Sequence, residues 1–345
     1  MTIKTGLICE GGGTKAAYTC GVLQCFLDND IDFPYTVGIS AGAEVLLPFV
    51  SKQRERLRIS GVDAASDPKA IGVSPLLHER GVFGIDHVCK FIEEHAPLDY
   101  AAFMKNPTQL DIGVYNMDTN EVEYFGKEYF DPIEQRLMKA SCSLFLLTRP
   151  VKFRNHTYMD AGLVDMIPIE QSIRQGMDKH VFISTKEENY VRKPAPGWQI
   201  QLARLMYPGN KQIREYLRIR HENYNRQWGI VKKLEEEGKA ILPDVAASLR
   251  EKKAEHDLAD SDIIGVGVGV PAPVTEEGIV FGSANLGWKY KEVKKELEEL
   301  RGKESVKTAD AHQAKALLSA LAAAAQELLD RDEAVHQELS AGEER

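Results

Sequence analysis

The feature that most constrains this chain is the turn Gly38-Ile39-Ser40-Ala41-Gly42, which follows the strand-like run 33–37. In such a turn the serine lies at a strained strand-to-helix corner, and glycines two residues away on each side let the two backbones approach. The helix predicted next begins at Ala41 and ends near Gln53, so its free N–H groups lie close to the serine hydroxyl. The sequence therefore predicts Ser40 as a nucleophile.

The residues before this turn predict the beginning of an α/β fold. A short apolar run from Thr5 to Cys9 has the character of a buried strand, and a glycine-rich loop and a helix from Ala16 follow it. Strand, loop, helix, strand, sharp turn and helix in this order are typical of a parallel sheet covered by helices. Further along, the runs 108–115 and 121–125 predict a hairpin or a sheet edge.

The glycine-rich loop Glu10-Gly11-Gly12-Gly13-Thr14-Lys15 has three interpretations. The favoured one is an oxyanion hole, because consecutive glycines expose backbone N–H groups to a developing negative charge. A second is a dinucleotide-binding loop, with Asp30 or Asp32 on a ribose hydroxyl, although in that motif the acid closes the second strand. The third is a tight turn without a chemical role.

Composition excludes few classes of function. The 345-residue chain has a formal net charge of −9, so nothing global indicates nucleic-acid binding. Its 5 cysteines lack paired spacing and predict reduced core thiols. No signal-like segment and no run of 18 apolar residues is present, which favours a cytoplasmic protein. No spacing of histidines, cysteines and acids predicts a metal site.

A second group of candidate catalytic residues is Tyr158-Met159-Asp160-Ala161-Gly162. Asp160 follows a short predicted strand, and the small residues after it leave a carboxylate accessible. Such an aspartate can deprotonate a serine directly if the two side chains meet, whereas this segment taken alone fits an Asx-turn or a helix cap better. His156 offers a rival serine–histidine–aspartate triad, although a solvated loop histidine suits its position better.

Taken together, these motifs resemble the patatin-like phospholipase family over roughly residues 3–243. The resemblance rests on the glycine-rich loop with its basic residue, on the serine turn and on Asp160-Ala161-Gly162, in that order. Supporting matches lie at 140–143 and 168–170. Two departures are alanines, Ala16 and Ala161, at positions where the family usually has glycine.

The resemblance implies a fold and a mechanism. The fold is a three-layer α/β/α arrangement with a central, mainly parallel sheet. The implied activity is a lipid acyl hydrolase that forms an acyl-enzyme, with a lipid or acyl-ester substrate and without cofactor or metal. A scaffold with weakened catalysis that binds lipid or protein is the alternative. The implied site residues are the nucleophile Ser40, the general base Asp160, the oxyanion-hole glycines Gly11, Gly12 and Gly13, and the supporting Lys15, Gly38, Gly42 and Gly162.

A basic, aromatic stretch spans residues 186–233. It carries 11 lysines and arginines against 4 glutamates, interleaved with apolar and aromatic residues. This pattern predicts either a peripheral contact with an anionic membrane or a pair of amphipathic helices on the sheet with a solvated basic face. Oligomeric state is not readable from the sequence.

The sequence changes character after residue 243, which predicts a catalytic domain over 1–243 and a mainly helical extension over 244–345. Residues 263–288 locally resemble the sugar-binding segment of the ROK sugar-kinase family. The acidic catalytic motif of that family does not follow, so this segment predicts a structural piece rather than a kinase. Residues 309–339 are rich in alanine and leucine at near-helical spacing.

Overall fold

The structure is a computed structural model, and it describes residues 3–64, 67, 69–187, 190–241, 279–280 and 291–292. These residues fall into two compact units. The larger contains the described residues of 3–64 and 85–241, and the smaller contains the described residues of 67–84, 279–280 and 291–292. The predicted domain boundary near residue 243 and the predicted helical extension lie outside the described residues and stay predictions.

One sheet organises the larger unit. Its strands are β1 (Thr5–Cys9), β2 (Tyr35–Ile39), β3 (Gln109–Asn116), β4 (Glu121–Gly126), β5 (Val151–Phe153), β6 (His156–Asp160), β7 (Lys179–Ile183) and β8 (Ala240–Ile241). Its helices are α1 (Ala16–Asp28), α2 (Ala41–Val50), α3 (Arg54–Arg58), α5 (Ile85–His95), α6 (Tyr100–Lys105), α7 (Arg136–Ser141), α8 (Ile169–Arg174), α9 (Gly197–Met206) and α10 (Lys211–Glu236), with α4 (Val73–His78) in the smaller unit. The smaller unit also contains the antiparallel pair β9 (Ile279–Val280) and β10 (Lys291–Glu292).

The strand order is β5-β6-β3-β2-β1-β7-β8, with β4 on the other edge of β3. Strands β3, β2, β1, β7 and β8 run parallel, whereas β4, β5 and β6 add antiparallel pairings. Consecutive residues of a strand face opposite sides of a sheet. Accordingly, Leu7 and Cys9 of β1 belong to a core cluster with α1 and α2, while Ile8 packs in a second cluster with Trp228 of α10. Helices therefore cover both faces, which confirms the predicted three-layer α/β/α fold.

The pairing register of β3 explains how two distant segments meet. Strand β4 occupies one edge of β3 at residues 111–116. On the remaining edge, β2 pairs up to Ile39 opposite Gly113, and the antiparallel β6 ends at Asp160 opposite Val114. The two strands therefore lie end to end along one edge of β3, and their C-terminal ends meet at consecutive residues of that strand.

Candidate active site

The turn after β2 holds Ser40 in a strained backbone conformation. Its φ of 57° and ψ of −133° are unusual for a residue with a side chain, and α2 begins at the next residue. The flanking glycines are sterically required, because a β-carbon at Gly38 would lie 2.6 Å from the Ala43 nitrogen and one at Gly42 would lie 2.5 Å from the Cys9 carbonyl oxygen. The sequence motif thus forms the strand-turn-helix that it predicts.

Asp160 ends β6 and begins a short 3-10 helix at 161–163. Its carboxylate accepts a hydrogen bond of 2.7 Å from the Gly162 N–H, which is the cap that the residue type also predicts. Burial raises the pKa of Asp160 to about 6, while hydrogen bonding from the Ser40 side chain and from Gly162 opposes this rise. The structure therefore brings the Ser40 hydroxyl into hydrogen-bonding contact with the Asp160 carboxylate.

The segment between β4 and β5 holds both of these residues by their backbones. The Ser40 N–H donates to the hydroxyl oxygen of Ser141 at 3.1 Å, and this hydroxyl donates to the carbonyl of Gly113 at 2.8 Å. The N–H of Asp160 donates to the carbonyl of Ser143 at 2.9 Å. From the sequence, this segment is noted only as part of the family resemblance. A serine in a sequence does not show whether its hydroxyl will bind a backbone group or solvent.

The glycine-rich loop passes directly beside Ser40. A β-carbon on Gly11 would lie 3.3 Å from the β-carbon of Ser40, and the Gly11 N–H donates to the carbonyl of Met166 at 3.4 Å. In the described part of the chain, the N–H groups of Gly12 and Gly13 have no acceptor. Unpaired backbone N–H groups in a glycine-rich loop are suited to bind a negatively charged oxygen.

The predicted supporting residues differ in their surroundings. Burial, together with the nearby Lys186, lowers the pKa of Lys15 to about 8. Ala16, which replaces a family glycine, is 2% exposed and packs in the core cluster under α1 and α2. Ala161 is fully buried, and its carbonyl accepts hydrogen bonds from the N–H groups of Val164 and Asp165.

Two alternative interpretations, the dinucleotide-binding loop and the serine–histidine–aspartate triad, find no support in this geometry. Asp32, proposed for a ribose hydroxyl, pairs with Lys52 before the start of β2, whereas the glycine-rich loop follows the end of the parallel strand β1. Because β1 and β2 run parallel, Asp32 lies at the N-terminal ends of these strands and the glycine-rich loop at their C-terminal ends. His156 is the exposed first residue of β6 rather than a loop residue, and it contacts the carboxylate of Asp118 at 3.2 Å.

Comparison with known proteins agrees with the fold and the motifs. The family model described as patatin-like phospholipase matches residues 7–173. These residues form a patatin-like phospholipase domain. The match begins inside β1 and ends inside α8, so it includes the serine turn, the glycine-rich loop and Asp160.

Individual proteins similar to this chain are less informative. The uncharacterized protein YjjU of Escherichia coli K12 is 29% identical over 198 residues, which cover 53% of this chain and 52% of YjjU. The chain thus spans about half the length of this relative. A glucokinase of Halalkalibacterium halodurans is 30% identical over 74 residues, 21% of this chain and 22% of the glucokinase. The crystal structure of VipD from Legionella pneumophila covers 75% of each chain, with a TM-score of 0.32 and 12% identity.

The patatin-like domain is held by a helix beyond the family match. The side-chain oxygen of Gln227 on α10 accepts hydrogen bonds of 3.3 Å from the N–H groups of Met166 and Ile167. From the same helix, Arg220 donates through Nε to the carbonyl of Gly162 at 2.8 Å. Neither residue was predicted, since about 60 residues separate the helix from the loop that it holds. Only the fold reveals these contacts.

Membrane-spanning helices and metal-binding groups are both absent from the described residues. Within the described ranges, no helix is both long enough and apolar enough to span a membrane. The same residues contain no group of three or more histidines, cysteines, aspartates or glutamates that could hold a metal ion.

Proposed function

We propose that this protein is a serine hydrolase of lipid acyl esters, in which Ser40 is the nucleophile and Asp160 the general base. The observation that carries the proposal is the meeting of β2 and β6 at Gly113 and Val114 of β3, which puts the Ser40 hydroxyl against the Asp160 carboxylate. The patatin-like phospholipase domain supports lipid esters as the substrate class.

In the proposed reaction Asp160 takes the proton of the Ser40 hydroxyl while the Ser40 oxygen attacks the acyl carbonyl. The N–H groups of Gly12 and Gly13 hold the oxyanion of the tetrahedral intermediate, and Asp160 then returns the proton to the departing alcohol. A water molecule, deprotonated by Asp160, attacks the acyl-enzyme. The fatty acid leaves, and the proton returns to Ser40.

The test is hydrolysis of p-nitrophenyl esters of increasing chain length by the wild type, Ser40→Ala and Asp160→Asn, with a chelator present throughout. Asp118→Asn is the matched control, since it removes an exposed carboxylate whose hydrogen bonds, among the described residues, go to His156 and to the N–H of Thr157 at the start of β6. Loss of turnover in both site variants, with turnover kept in the control, supports the proposal. Equal rates in all four proteins would refute it.

A fluorophosphonate probe separates the nucleophile from the rest of the site. Such a probe reacts covalently with an activated serine hydroxyl, and peptide mass spectrometry identifies the residue that carries it. We expect the label on Ser40 in the wild type and a strongly slowed reaction in Asp160→Asn. A label on another serine would remove Ser40 from its proposed role.

The basic stretch 186–233 supports a peripheral contact with an anionic membrane as a second feature of this function. Several of its aromatic residues are core, because Tyr207, Tyr224 and Trp228 are buried. On α9, however, Trp198 is 56% exposed and Leu205 is 53% exposed, and the two lie seven residues apart on one helix face. An exposed apolar stripe on a basic segment is typical of interfacial binding.

Sedimentation with vesicles tests this contact. We expect the protein to bind vesicles with phosphatidylglycerol more than vesicles of phosphatidylcholine, and binding to fall in Trp198→Ala and Leu205→Ser. Vesicle binding without ester turnover would instead favour the binding scaffold with weakened catalysis. Absence of binding to either vesicle would exclude the membrane contact.

A further inference from the structure

Asp165 is a buried acidic residue that the proposed mechanism does not use. It follows Asp160 in the segment between β6 and α8 and is 8% exposed. Its carboxylate oxygens accept hydrogen bonds from two different elements. Oδ2 accepts from the hydroxyl of Tyr124 on β4, and Oδ1 accepts from Nε2 of Gln227 on α10 at 2.8 Å. Asp165 therefore connects the sheet to α10.

Within the described part of the chain, no cation forms a salt bridge with Asp165. The charged side chains that face it are Glu170, Arg174 and Arg226, and Arg226 pairs with Glu170 at 2.9 Å. Burial raises the pKa of Asp165 to about 6, and the hydrogen bond from Tyr124 opposes this rise. At pH 8 the carboxyl is therefore ionised and can only accept hydrogen bonds.

The ionised carboxylate determines how the side-chain amide of Gln227 is oriented. One end of this amide faces Asp165, which only accepts, and the other end faces the N–H groups of Met166 and Ile167, which only donate. One orientation satisfies both neighbours, with the NH2 group toward Asp165 and the oxygen toward the backbone. Because Gln227 is 2% exposed, a reversed amide would leave buried polar groups unpaired, which is costly.

The segment that Gln227 holds in turn binds the glycine-rich loop. The Met166 carbonyl accepts a hydrogen bond from the Gly11 N–H at 3.4 Å. Gly11 lies so close to the serine turn that a β-carbon on it would be 3.3 Å from the β-carbon of Ser40. The Gly11 N–H therefore fixes the loop beside Ser40 and is directed at Met166 rather than at a substrate.

We infer that Asp165 is a positioning residue of the proposed hydrolase, which acts through Gln227 on the glycine-rich loop. Its carboxylate fixes the Gln227 amide, the amide holds Met166, and the Met166 carbonyl holds the loop. The inference rests on the proposed function and adds to it a residue that acts only through others. Asp165 lies within the family-matched residues 7–173, whereas Gln227 lies beyond them.

The experiment exchanges the two side chains. In the double variant Asp165→Asn/Gln227→Glu the amide and the carboxylate change places. The amide still donates to the carboxylate, and a carboxylate oxygen still accepts from the N–H groups of Met166 and Ile167. Asp165→Asn alone lets the Gln227 amide pair in either orientation, and Gln227→Glu alone places two carboxylates against each other.

The kcat and KM for p-nitrophenyl butyrate at pH 8 measure the effect. We expect kcat to fall about 10- to 100-fold in each single variant, because small displacements of catalytic groups are costly. KM should change little, since neither side chain is proposed to touch the substrate. The double variant should recover most of the lost kcat, which a general loss of packing would not allow.

Asp111→Asn is the matched control. Asp111 of β3 also accepts hydrogen bonds from a tyrosine and a glutamine, Tyr35 at 2.8 Å and Gln171 at 2.7 Å. Among the described residues, its side-chain hydrogen bonds do not reach the glycine-rich loop or the segment 166–167. Its kcat should stay close to that of the wild type.

Gln227→Met is a second variant for the case that Asp165→Asn does not fold. It keeps a side chain of similar length but removes the acceptor for the N–H groups of Met166 and Ile167. We expect the same fall in kcat with little change in KM. Thermal unfolding of every variant establishes that the proteins compared are folded.

The results have distinct meanings. Wild-type kcat in Asp165→Asn, a loss confined to KM, or a double variant no faster than the slower single variant would overturn the positioning role and leave the hydrolase intact. If the wild type does not hydrolyse the ester, the proposed function fails for that ester, and hydrogen–deuterium exchange mass spectrometry decides the inference. Faster exchange at Met166, Ile167 and Gly11 in Asp165→Asn, reversed in the double variant, supports it. Unchanged exchange overturns it.

Discussion

The backbone N–H of Ser40 donates a hydrogen bond of 3.1 Å to the side-chain oxygen of Ser141, a fully buried residue. The two lie 101 residues apart in the chain, and the same hydroxyl also donates to the Gly113 carbonyl of β3. Ser141 thereby ties the strained turn to the strand on which β2 and β6 meet. This makes it a positioning residue for the proposed nucleophile.

Ser141→Ala should leave the Ser40 N–H buried without an acceptor. We expect the free energy of unfolding to fall by about 1–3 kcal/mol and ester turnover to fall by about 10- to 100-fold, because small displacements of reacting groups are costly. Urea unfolding and kcat measure the two effects. Ser143→Ala is the control, since its hydroxyl contacts Thr148 and the Arg149 carbonyl while its own carbonyl still holds Asp160. Equal kcat losses in both variants would contradict the positioning role.

The pH dependence of activity should follow the ionisation of Asp160. The general base acts only when deprotonated, and the pKa of this carboxyl is about 6. We therefore expect kcat/KM to fall about tenfold per pH unit below pH 6 and to level off above it. A rate that does not change between pH 4.5 and pH 7 would remove Asp160 from the role of base.

The ionised carboxylate of Asp160 should also lower the free energy of unfolding at neutral pH. Its folded pKa of about 6 lies above the ordinary value of 3.8, so the protonated carboxyl favours the folded state below pH 3.8, and this gain is lost as the pH rises through 6. Asp160→Asn stays uncharged, so at pH 8 it should be more stable than the wild type by about 1–3 kcal/mol. The gap should narrow toward pH 4. Thermal unfolding at several pH values measures it, and a less stable variant at pH 8 would contradict the expectation.

Two glycine substitutions should act in opposite directions. A β-carbon at Gly42 would strike the backbone carbonyls of Cys9 and Glu10, so Gly42→Ala should destabilise the protein by about 3 kcal/mol. A β-carbon at Gly21 in α1 meets no atom within 4 Å, so Gly21→Ala should stabilise it by about 0.5–1 kcal/mol. Calorimetric melting temperatures compare the two. A melting temperature of Gly42→Ala equal to that of the wild type would contradict the close contact between Gly42 of α2 and the carbonyls of Cys9 and Glu10.

Local sequence pattern was enough for the first half of the site. The runs around Thr5–Cys9 and Tyr35–Ile39, the glycine-rich loop and the serine turn form as predicted, because each depends on residues close in the chain. Helix α2 is shorter than predicted and ends at Val50 rather than near Gln53. Lys52 adopts a φ of 62°, which ends the helix.

The rest of the site depends on contacts across the sheet, which local sequence pattern could not predict; the pairing of Ser40 with Asp160 was implied only by the family resemblance. The approach of Asp160 to Ser40 follows from the register of β3, in which Gly113 and Val114 pair with two different strands. No pattern within β3 records which strands those are. The basic stretch was also undecided in the sequence, since burial of Tyr224 and Trp228 and exposure of Trp198 depend on how α9 and α10 pack.

The contacts of α10 with the loop after Asp160 limit where the chain can be shortened. Gln227 and Arg220 hold the loop after Asp160 by hydrogen bonds. A fragment that ends at residue 173, where the family match ends, would therefore contain Ser40 and Asp160 without the hydrogen bonds that position this loop.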